Sequence, residues 1–164
     1  MVTAPGAVEP LGSARGVTDD DVRSVLAGVH DPEIPTVSIV DLGLVHAISV
    51  ADERITVRLL PTFVACPALD VIRSSVEEAV GALGRPVQVD FTFAVPWTTD
   101  RLTGRGRTGL AAAGIAPPSD PADVRCPYCA SGQVAISSAF GPTLCRSLWY
   151  CRGCRQPFEA FKPI

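Results

Sequence analysis

Two Cys-x-x-Cys pairs near the carboxyl end constrain the fold of this chain more than any other feature. Cys126 and Cys129 form the first pair, Cys151 and Cys154 form the second, and 21 residues separate the pairs. Two thiolates on one tight turn can bind a metal ion together, and a second such turn completes a tetrahedral zinc site. Strand-like residues lie between the pairs. We therefore predict a zinc ribbon whose structural zinc is bound by these four cysteines.

Other uses of the four cysteines fit the sequence less well. Residues 1–16 lack the basic and apolar stretches of a secretory signal, so we expect a cytoplasmic protein, in which disulfides are uncommon. A redox-active pair would not need a second pair. Iron in a rubredoxin-like site would use the same ligands, so the sequence leaves the choice between zinc and iron open. An appendage of about forty residues has little core of its own, so bound metal would supply part of its folding energy.

The composition changes near residue 118. Residues 1–121 contain nine arginines against fifteen acidic residues, whereas residues 122–164 contain five basic residues against two acidic ones. The change coincides with three prolines in residues 114–121, which block helices and sheet ladders alike. We predict a flexible tail over residues 1–17, an α/β domain over 18–117, a linker over 118–122 and the zinc ribbon over 123–164.

Helical patterns in the first domain begin with a capping box at Thr18. A second helix is predicted to begin at Pro67 and to end near Gly84, since proline suits a first turn and glycine a C-terminal position. A third helix is predicted over residues 99–113. Its three glycines weaken that prediction, because each costs about 1 kcal/mol relative to alanine.

Alternating apolar and polar residues predict three strands, over residues 44–50, 55–59 and 87–93. The short turn at 51–53 joins the first two strands as an antiparallel hairpin. His46 shares a face with Leu44 and Ile48 in this pattern, which predicts a core histidine. The fold class is therefore α+β: a small, mostly antiparallel sheet covered by helices, followed by a C-terminal zinc ribbon.

Cys66 stands alone, directly before the predicted second helix. Free amides and the helix dipole at such a position favour the thiolate, although Asp70 opposes that effect. Position alone leaves open a reactive or metal-handling thiol and a buried structural one. Cys145, six residues before the second pair, is either a small buried hydrophobic residue or a residue that contacts a cluster.

The acidic residues Asp31, Glu33 and Asp41 form the remaining cluster of interest, and turn formation and capping explain them without any ligand. The basic residues of the ribbon, Arg146 among them, are expected to form a rim that faces a partner or solvent. No residue set assembles a base, a nucleophile and an oxyanion site, so no catalytic residues are predicted.

Several segments of the chain resemble known families. Residues 31–35, 38–44 and 61–68, which contain the three acids and Cys66, are similar to the small α/β domain of iron–sulfur cluster assembly proteins. Residues 96–100, 114–118, 140–145 and 156–162, together with both Cys-x-x-Cys pairs, resemble the PaaD-type subunit of the phenylacetyl-CoA epoxygenase system. The resemblance extends from about residue 18 to residue 162.

The resemblance implies a non-catalytic accessory factor of aerobic phenylacetate degradation. Such a factor would help to assemble, deliver or maintain the iron or iron–sulfur centres of the epoxygenase and its reductase, which would be its partners. Cys66 matches the cysteine of the family domain, and Asp31, Glu33 and Asp41 match its acidic motif. These residues are therefore candidates for transient binding of iron or a cluster, with Cys145 as an accessory.

Two other functions remain open. The first is a docking subunit that bridges oxygenase and reductase without binding their metals. A zinc ribbon can also bind nucleic acid, but the net charge of −3 argues against that function. The chain lacks the run of about 18 apolar residues that a membrane helix needs, so no membrane association is expected. The sequence leaves a homodimer open.

Overall fold

The computed structural model describes residues 16–63 and 66–164, so most of the predicted tail lies outside the described residues. Three helices are α1 (Asp19–Leu26), α2 (Leu69–Gly81) and α3 (Gly104–Ala112). The strands are β1 (His30–Asp31), β2 (Ile34–Ser38), β3 (Val45–Val50), β4 (Ile55–Leu59), β5 (Val87–Phe91), β6 (Ile115–Ala116), β7 (Val134–Ser138), β8 (Arg146–Cys151) and β9 (Pro157–Phe161). Within these ranges, no helix has the length and apolar character needed to cross a bilayer. The predicted α+β class is confirmed.

The predicted helix starts agree closely with the structure. The Thr18 hydroxyl accepts the backbone N–H of Asp21, whose carboxylate accepts the backbone N–H of Thr18, so the capping box is present. Helix α2 begins two residues later than predicted, because Pro67 and Ala68 form a turn and no side chain caps the helix. The apolar face of α2 is buried in the core of the first domain.

The described residues form three sheets: an antiparallel pair of β1 and β2, a three-stranded sheet in the order β3-β4-β5, and a four-stranded sheet. Strands β3 and β4 form the predicted antiparallel hairpin, while β5 lies parallel to β4 and α2 makes the crossover between them. The interpretation of His46 as a core residue is wrong, since its side chain is exposed. Val45 pairs with Leu59 and Ala47 with Arg58, so His46 is the extra residue of a β-bulge that interrupts the alternation.

The four-stranded sheet, in the order β6-β9-β8-β7, forms the ribbon and joins it to the first domain. Strand β6 precedes the predicted linker in sequence, yet it pairs in parallel with β9. Phe161 of β9 packs in the core of the first domain, with its ring centroid 5.7 Å from that of Trp97. The ribbon is therefore packed against the first domain by strand pairing and by shared core residues. The precise domain bounds stay a prediction.

The predicted third helix consists of a 3-10 turn, Thr99–Arg101, followed by α3. The glycines of α3 are explained by close packing against β2 and the residues that follow it. A Cβ atom at position 109 would lie 2.7 Å from the carbonyl oxygen of Thr36, and one at position 106 would collide with the carbonyl oxygen of Asp41. Tertiary packing therefore requires glycines that helix propensity alone would disfavour.

We expect Gly106→Ala to lower the free energy of unfolding by about 1–3 kcal/mol, because α3 must move away from Asp41 to admit a methyl group. Gly104→Ala is a matched control, since open space surrounds a Cβ atom there. We expect that variant to be unchanged or stabilised by about 0.5 kcal/mol. Urea unfolding followed by circular dichroism measures both values, and equal stabilities would contradict the packing argument.

Candidate functional site

The four ribbon cysteines converge on one point. Their sulfur atoms all lie within 4.8 Å of one another. The Sγ atoms of Cys126 and Cys154 are 3.6 Å apart, as are those of Cys129 and Cys151. Tetrahedral coordination with bonds of about 2.3 Å would place sulfur atoms about 3.8 Å apart. The donor set therefore fits a single thiophilic metal ion, and all four predicted ligands are brought together.

The backbone around each cysteine pair supports this arrangement. Ala130 and Arg155, which directly follow the second cysteine of each pair, have left-handed φ values of 58° and 61°. The next residues, Ser131 and Gln156, donate backbone N–H groups to the sulfurs of Cys129 and Cys154. Such N–H groups stabilise negative charge on thiolates. The two turns are thus folded in the same way around one anionic centre.

Hydrogen bonding and crowding act in opposite directions on the ribbon thiols. The backbone N–H of Cys154 donates to Cys151 and lowers the pKa of Cys151 to about 7. Burial, together with the neighbouring thiols, raises the pKa of Cys154 to about 12. Four thiols so close together cannot all ionise at neutral pH without a compensating charge, which a divalent ion supplies.

The ribbon has little apolar material of its own. Its separate core cluster contains seven buried residues: Ala116, Val124, Cys126, Trp149, Cys151, Phe158 and Ala160. Two of these are the cysteines themselves. The small size of this core agrees with the prediction that bound metal supplies part of the folding energy of the ribbon.

Cys66 lies half-buried in front of α2. Burial raises the pKa of its thiol, and the charges of Asp31, Glu33 and Cys145 raise it further, while the N–H of Ala68 lowers it. The pKa of Cys66 is therefore raised overall, which favours the thiol form in the free protein. The predicted effect of the helix is present but is outweighed by burial and by negative charge from other parts of the chain.

Asp31 is the last residue of β1, and Glu33 lies on the turn between β1 and β2. The carboxylate of Asp31 accepts the backbone N–H groups of Glu33 and Ile34, at 2.8 and 3.1 Å, as in an Asx turn. Burial nevertheless raises the pKa of Asp31. The turn therefore places one half-buried and one exposed carboxylate close enough to Cys66 to act on its ionisation.

We expect Asp31→Asn to stabilise the protein at neutral pH, because it removes a charge that burial disfavours while an amide oxygen still accepts the turn hydrogen bonds. The raised pKa means that the folded state holds this proton more tightly than the unfolded state. Wild-type stability therefore decreases as pH rises through the titration of Asp31. Urea unfolding at several pH values should show the advantage of the variant at pH 7 and its disappearance in acid. A variant that is less stable at pH 7 would contradict this account.

Asp41 is positioned differently. Its carboxylate accepts the hydroxyls of Thr103 at 2.7 Å and Ser38 at 3.0 Å, and it forms a 3.1 Å ion pair with Arg105. Although partial burial opposes ionisation, these hydrogen bonds lower the pKa of Asp41. Among the described residues, Asp41 is not one of the charged groups that act on Cys66. Its contacts are those of a residue that joins the loop before β3 to the start of α3.

Cys145 is brought from the ribbon to the first domain. It lines a small cavity of about 20 Å³ together with Cys66 and Pro67. Its backbone carbonyl accepts the N–H of Lys162 at 2.9 Å, and its sulfur lies 3.2 Å from the hydroxyl of Thr143. The sequence singled out Cys145 without indicating its neighbour. Cys145 reaches Cys66 because of the order in which the strands pair, and the spacing of residues in the sequence does not predict that order.

Arg146 contradicts the expectation of a solvent-facing rim, since this residue is only 7% exposed. Its guanidinium group donates to the carboxylate of Glu159 at 2.7 Å and to the carbonyl oxygen of Glu33 at 3.2 Å. The carboxylate of Glu33 lies 3.6 Å from the same group. Arg146 thus links the ribbon to the acidic turn beside Cys66, a role that was not predicted from the sequence.

Family models match two parts of the chain. Residues 19–91 match the iron–sulfur cluster assembly protein domain, and residues 113–162 match the PaaD zinc beta ribbon domain. These matches confirm the predicted resemblance.

Individual relatives cover the chain to different extents. A protein of Escherichia coli K12, provisionally named as one of the subunits of 1,2-phenylacetyl-CoA epoxidase, is 38% identical over 88% of this chain and 92% of its own length. An Fe-S protein maturation auxiliary factor of Porphyromonas gingivalis is 40% identical over 52% of this chain and 84% of its own length. A solved structure, a conserved hypothetical protein from Thermotoga maritima, is 33% identical, with a TM-score of 0.52. It covers 60% of this chain and 98% of its own.

Proposed function

Because this chain belongs to the PaaD-type family of 1,2-phenylacetyl-CoA epoxidase subunits, we propose that it is a non-catalytic accessory factor of that enzyme system. It assists the assembly, delivery or maintenance of the iron or iron–sulfur centres of the oxygenase and its reductase, and it works in the cytoplasm with them. The name of the Porphyromonas gingivalis relative, which matches the first half of the chain, supports a role in metal-centre maturation.

One observation carries this proposal, namely the contrast between the two sets of thiols. Four cysteines form a closed set with the spacing of a structural site, and we take their ion to be zinc. Cys66 stands outside that set, half-buried, beside the carboxylates of Asp31 and Glu33. A closed site suits a permanent ion, whereas a partly accessible thiol beside two acids suits an ion that arrives and leaves.

The chemistry of Cys66 fits transient rather than permanent binding. Iron, as the cargo, would be attracted by the negative charge of Asp31 and Glu33. The thiolate form of Cys66 is the one that binds a metal ion, so the thiol must first release its proton. Burial raises the pKa of this thiol and so opposes that release. Competition from that proton weakens metal binding at neutral pH. The site would therefore release iron to a client that binds it more tightly.

The test is to express the epoxidase components with and without this chain and to measure iron in the purified oxygenase and reductase, together with epoxidation activity. We expect a several-fold loss of iron and activity without the chain, and a similar loss with Cys66→Ser. Asp70→Asn is the control, since Asp70 lies at the start of α2 but is not among the groups that act on Cys66. Equal iron and activity with and without the chain would exclude a role in maturation.

Exposed apolar side chains on the ribbon favour a docking role as the second candidate. Ile136 is 56% exposed, Tyr150 is 40% exposed and Phe140 is 70% exposed. A docking subunit would co-purify with oxygenase and reductase at fixed stoichiometry, and Cys66→Ser would leave epoxidation unchanged. The same experiment therefore separates the two candidates.

A further inference from the structure

We propose that the outer edge of strand β7 pairs with β7 of a second copy of this chain, so that two ribbons share one continuous antiparallel sheet. Such self-association goes beyond the proposed function and does not depend on it. Three features of the ribbon support it: the hydrogen-bond register of β7, the uncovered backbone along its edge, and the side chains that a second copy would cover.

The register shows which backbone groups of β7 face outward. Strand β7 is the last strand of the four-stranded sheet and pairs with β8 on one side. The backbone N–H of Arg152 donates to the carbonyl oxygen of Gln133 at 2.8 Å, so these two residues form a hydrogen-bonded pair. Hydrogen-bonded and non-hydrogen-bonded pairs alternate along an antiparallel ladder. The N–H and C=O groups of Val134 and Ile136 therefore point away from β8, toward the outer edge.

Arginine side chains cover part of each edge of the three-stranded sheet. Arg73 donates to the carbonyl oxygen of Val89 on β5, and Arg101 donates to that of Val45 on β3. The β7 edge differs, since no side chain of the described residues forms a hydrogen bond with its outward groups. An edge strand with unpaired backbone groups is a template for pairing with another chain.

The sequence around β7 favours a second copy as the partner. Residues 130–145 contain no aspartate, glutamate, lysine, arginine or histidine, although charged residues make up 19% of the chain. Like charges that face each other across two strands are destabilising, and edge strands commonly carry lysine or proline that prevents self-pairing. Strand β7 contains neither of these residue types. Two copies of β7 can therefore approach each other without charge repulsion.

A two-fold axis at Ala135 satisfies the outward groups of both copies. Val134 of each copy then forms a hydrogen-bonded pair with Ile136 of the other, and the small Ala135 side chains meet at the axis. Ile136, which is 56% exposed, is covered by Val134 of the other copy, and Val134 already packs against the ribbon core. Because the contact uses the same edge of both copies, association stops at a dimer.

The dimer is expected to be weak. A β-bulge follows Ile136 and limits regular pairing to the first part of β7. The contact between the copies is therefore small, which is typical of transient rather than permanent association. Dimer formation should accordingly depend on the concentration of the chain.

The test combines sedimentation equilibrium of the zinc-loaded full chain with amide hydrogen exchange measured by NMR. We expect the mass to rise from 17.2 kDa toward twice that value as the concentration increases. The N–H groups of Val134 and Ile136 should exchange rapidly in the monomer and slowly in the dimer. The N–H of Ala135 should exchange slowly at every concentration, because it points toward β8.

Two variants test the edge directly. Ile136→Pro removes an outward N–H without removing a hydrogen bond to β8, and Ala135→Lys places two lysines opposite each other at the axis. Each should weaken the dimer by about tenfold or more. Gln156→Lys is the control for added charge, since this exposed residue lies between β8 and β9 and not on β7, and it should dimerise like the wild type. Zinc content and circular dichroism establish that each variant is folded, and Ala135→Lys decides the test if the proline variant is not.

Several results would overturn the proposal. A chain that stays monomeric at every concentration excludes the dimer, and a dimer in which the N–H groups of Val134 and Ile136 still exchange rapidly uses another surface. Dimerisation of Ala135→Lys at wild-type strength would also exclude pairing through β7. Slow exchange of the two N–H groups that appears only after addition of oxygenase or reductase would place a strand of another protein on this edge, in place of a second copy.

Discussion

Cys151→Ser is expected to abolish stable metal binding in the ribbon and to unfold β7, β8 and the turns that carry the cysteines. The ribbon core has few residues, and Cys151 is fully buried among them. Apparent binding energies of structural zinc in small domains are about 10–16 kcal/mol, which exceeds what such a core can supply. Loss of the metal should also loosen the first domain, because Phe161 of β9 packs in its core.

Hydrogen exchange measured by mass spectrometry tests this prediction. We expect protection of β7 and β8 to be lost in Cys151→Ser and in chelator-treated protein, while the β3–β4 hairpin keeps most of its protection. Cys145→Ser is the matched control, since Cys145 lies outside the four-sulfur cluster and should retain the zinc. Unchanged protection of β8 in protein without metal would show that the ribbon folds without the ion.

Arg146→Met is expected to have the second largest effect. Methionine keeps the apolar part of the side chain but leaves the carboxylates of Glu33 and Glu159 without their partner. Breaking a buried ion pair costs about 3–5 kcal/mol, and we expect about 2–3 kcal/mol because both carboxylates are partly exposed to solvent. The ribbon should then separate from the acidic turn more readily.

Urea unfolding of the zinc-loaded protein measures this effect. Arg152→Met is the control, because Arg152 is an exposed arginine of the same ribbon, and it should change stability by less than about 0.5 kcal/mol. Equal stabilities of the two variants would contradict the role assigned to Arg146.

Local chemistry explains which features the sequence could predict. The cysteine pairs, the capping box at Thr18 and the apolar face of α2 each depend on residues close together in the chain. The spacing of these residues is sufficient to indicate the structure they form. Accordingly, the metal-binding ribbon and the α+β class were both predictable.

Features that depend on distant parts of the chain were not predictable in the same way. His46 is exposed because a bulge forms only when β3 pairs with β4. Gly106 is required because Asp41 lies against α3. Spacing and propensity describe neither contact. The alternating pattern therefore predicted a core histidine, and helix propensity identified Gly106 only as an unfavourable residue.

The neighbours of Cys66 illustrate the same limit within the candidate site. Its raised pKa results from burial and from charges on Asp31, Glu33 and Cys145, which come from a preceding turn and from the ribbon. The sequence shows the helix start but not these contacts. Arg146 was likewise missed, because its partner Glu33 lies more than a hundred residues away.

Metal content of the purified chain, prepared with and without oxygen, tests the central claim most directly. We expect one zinc ion per chain in both preparations, and additional oxygen-sensitive iron that Cys66→Ser abolishes. A ribbon that is folded without any ion, with all six thiols reacting freely, would contradict the division between a closed metal site and an available thiol.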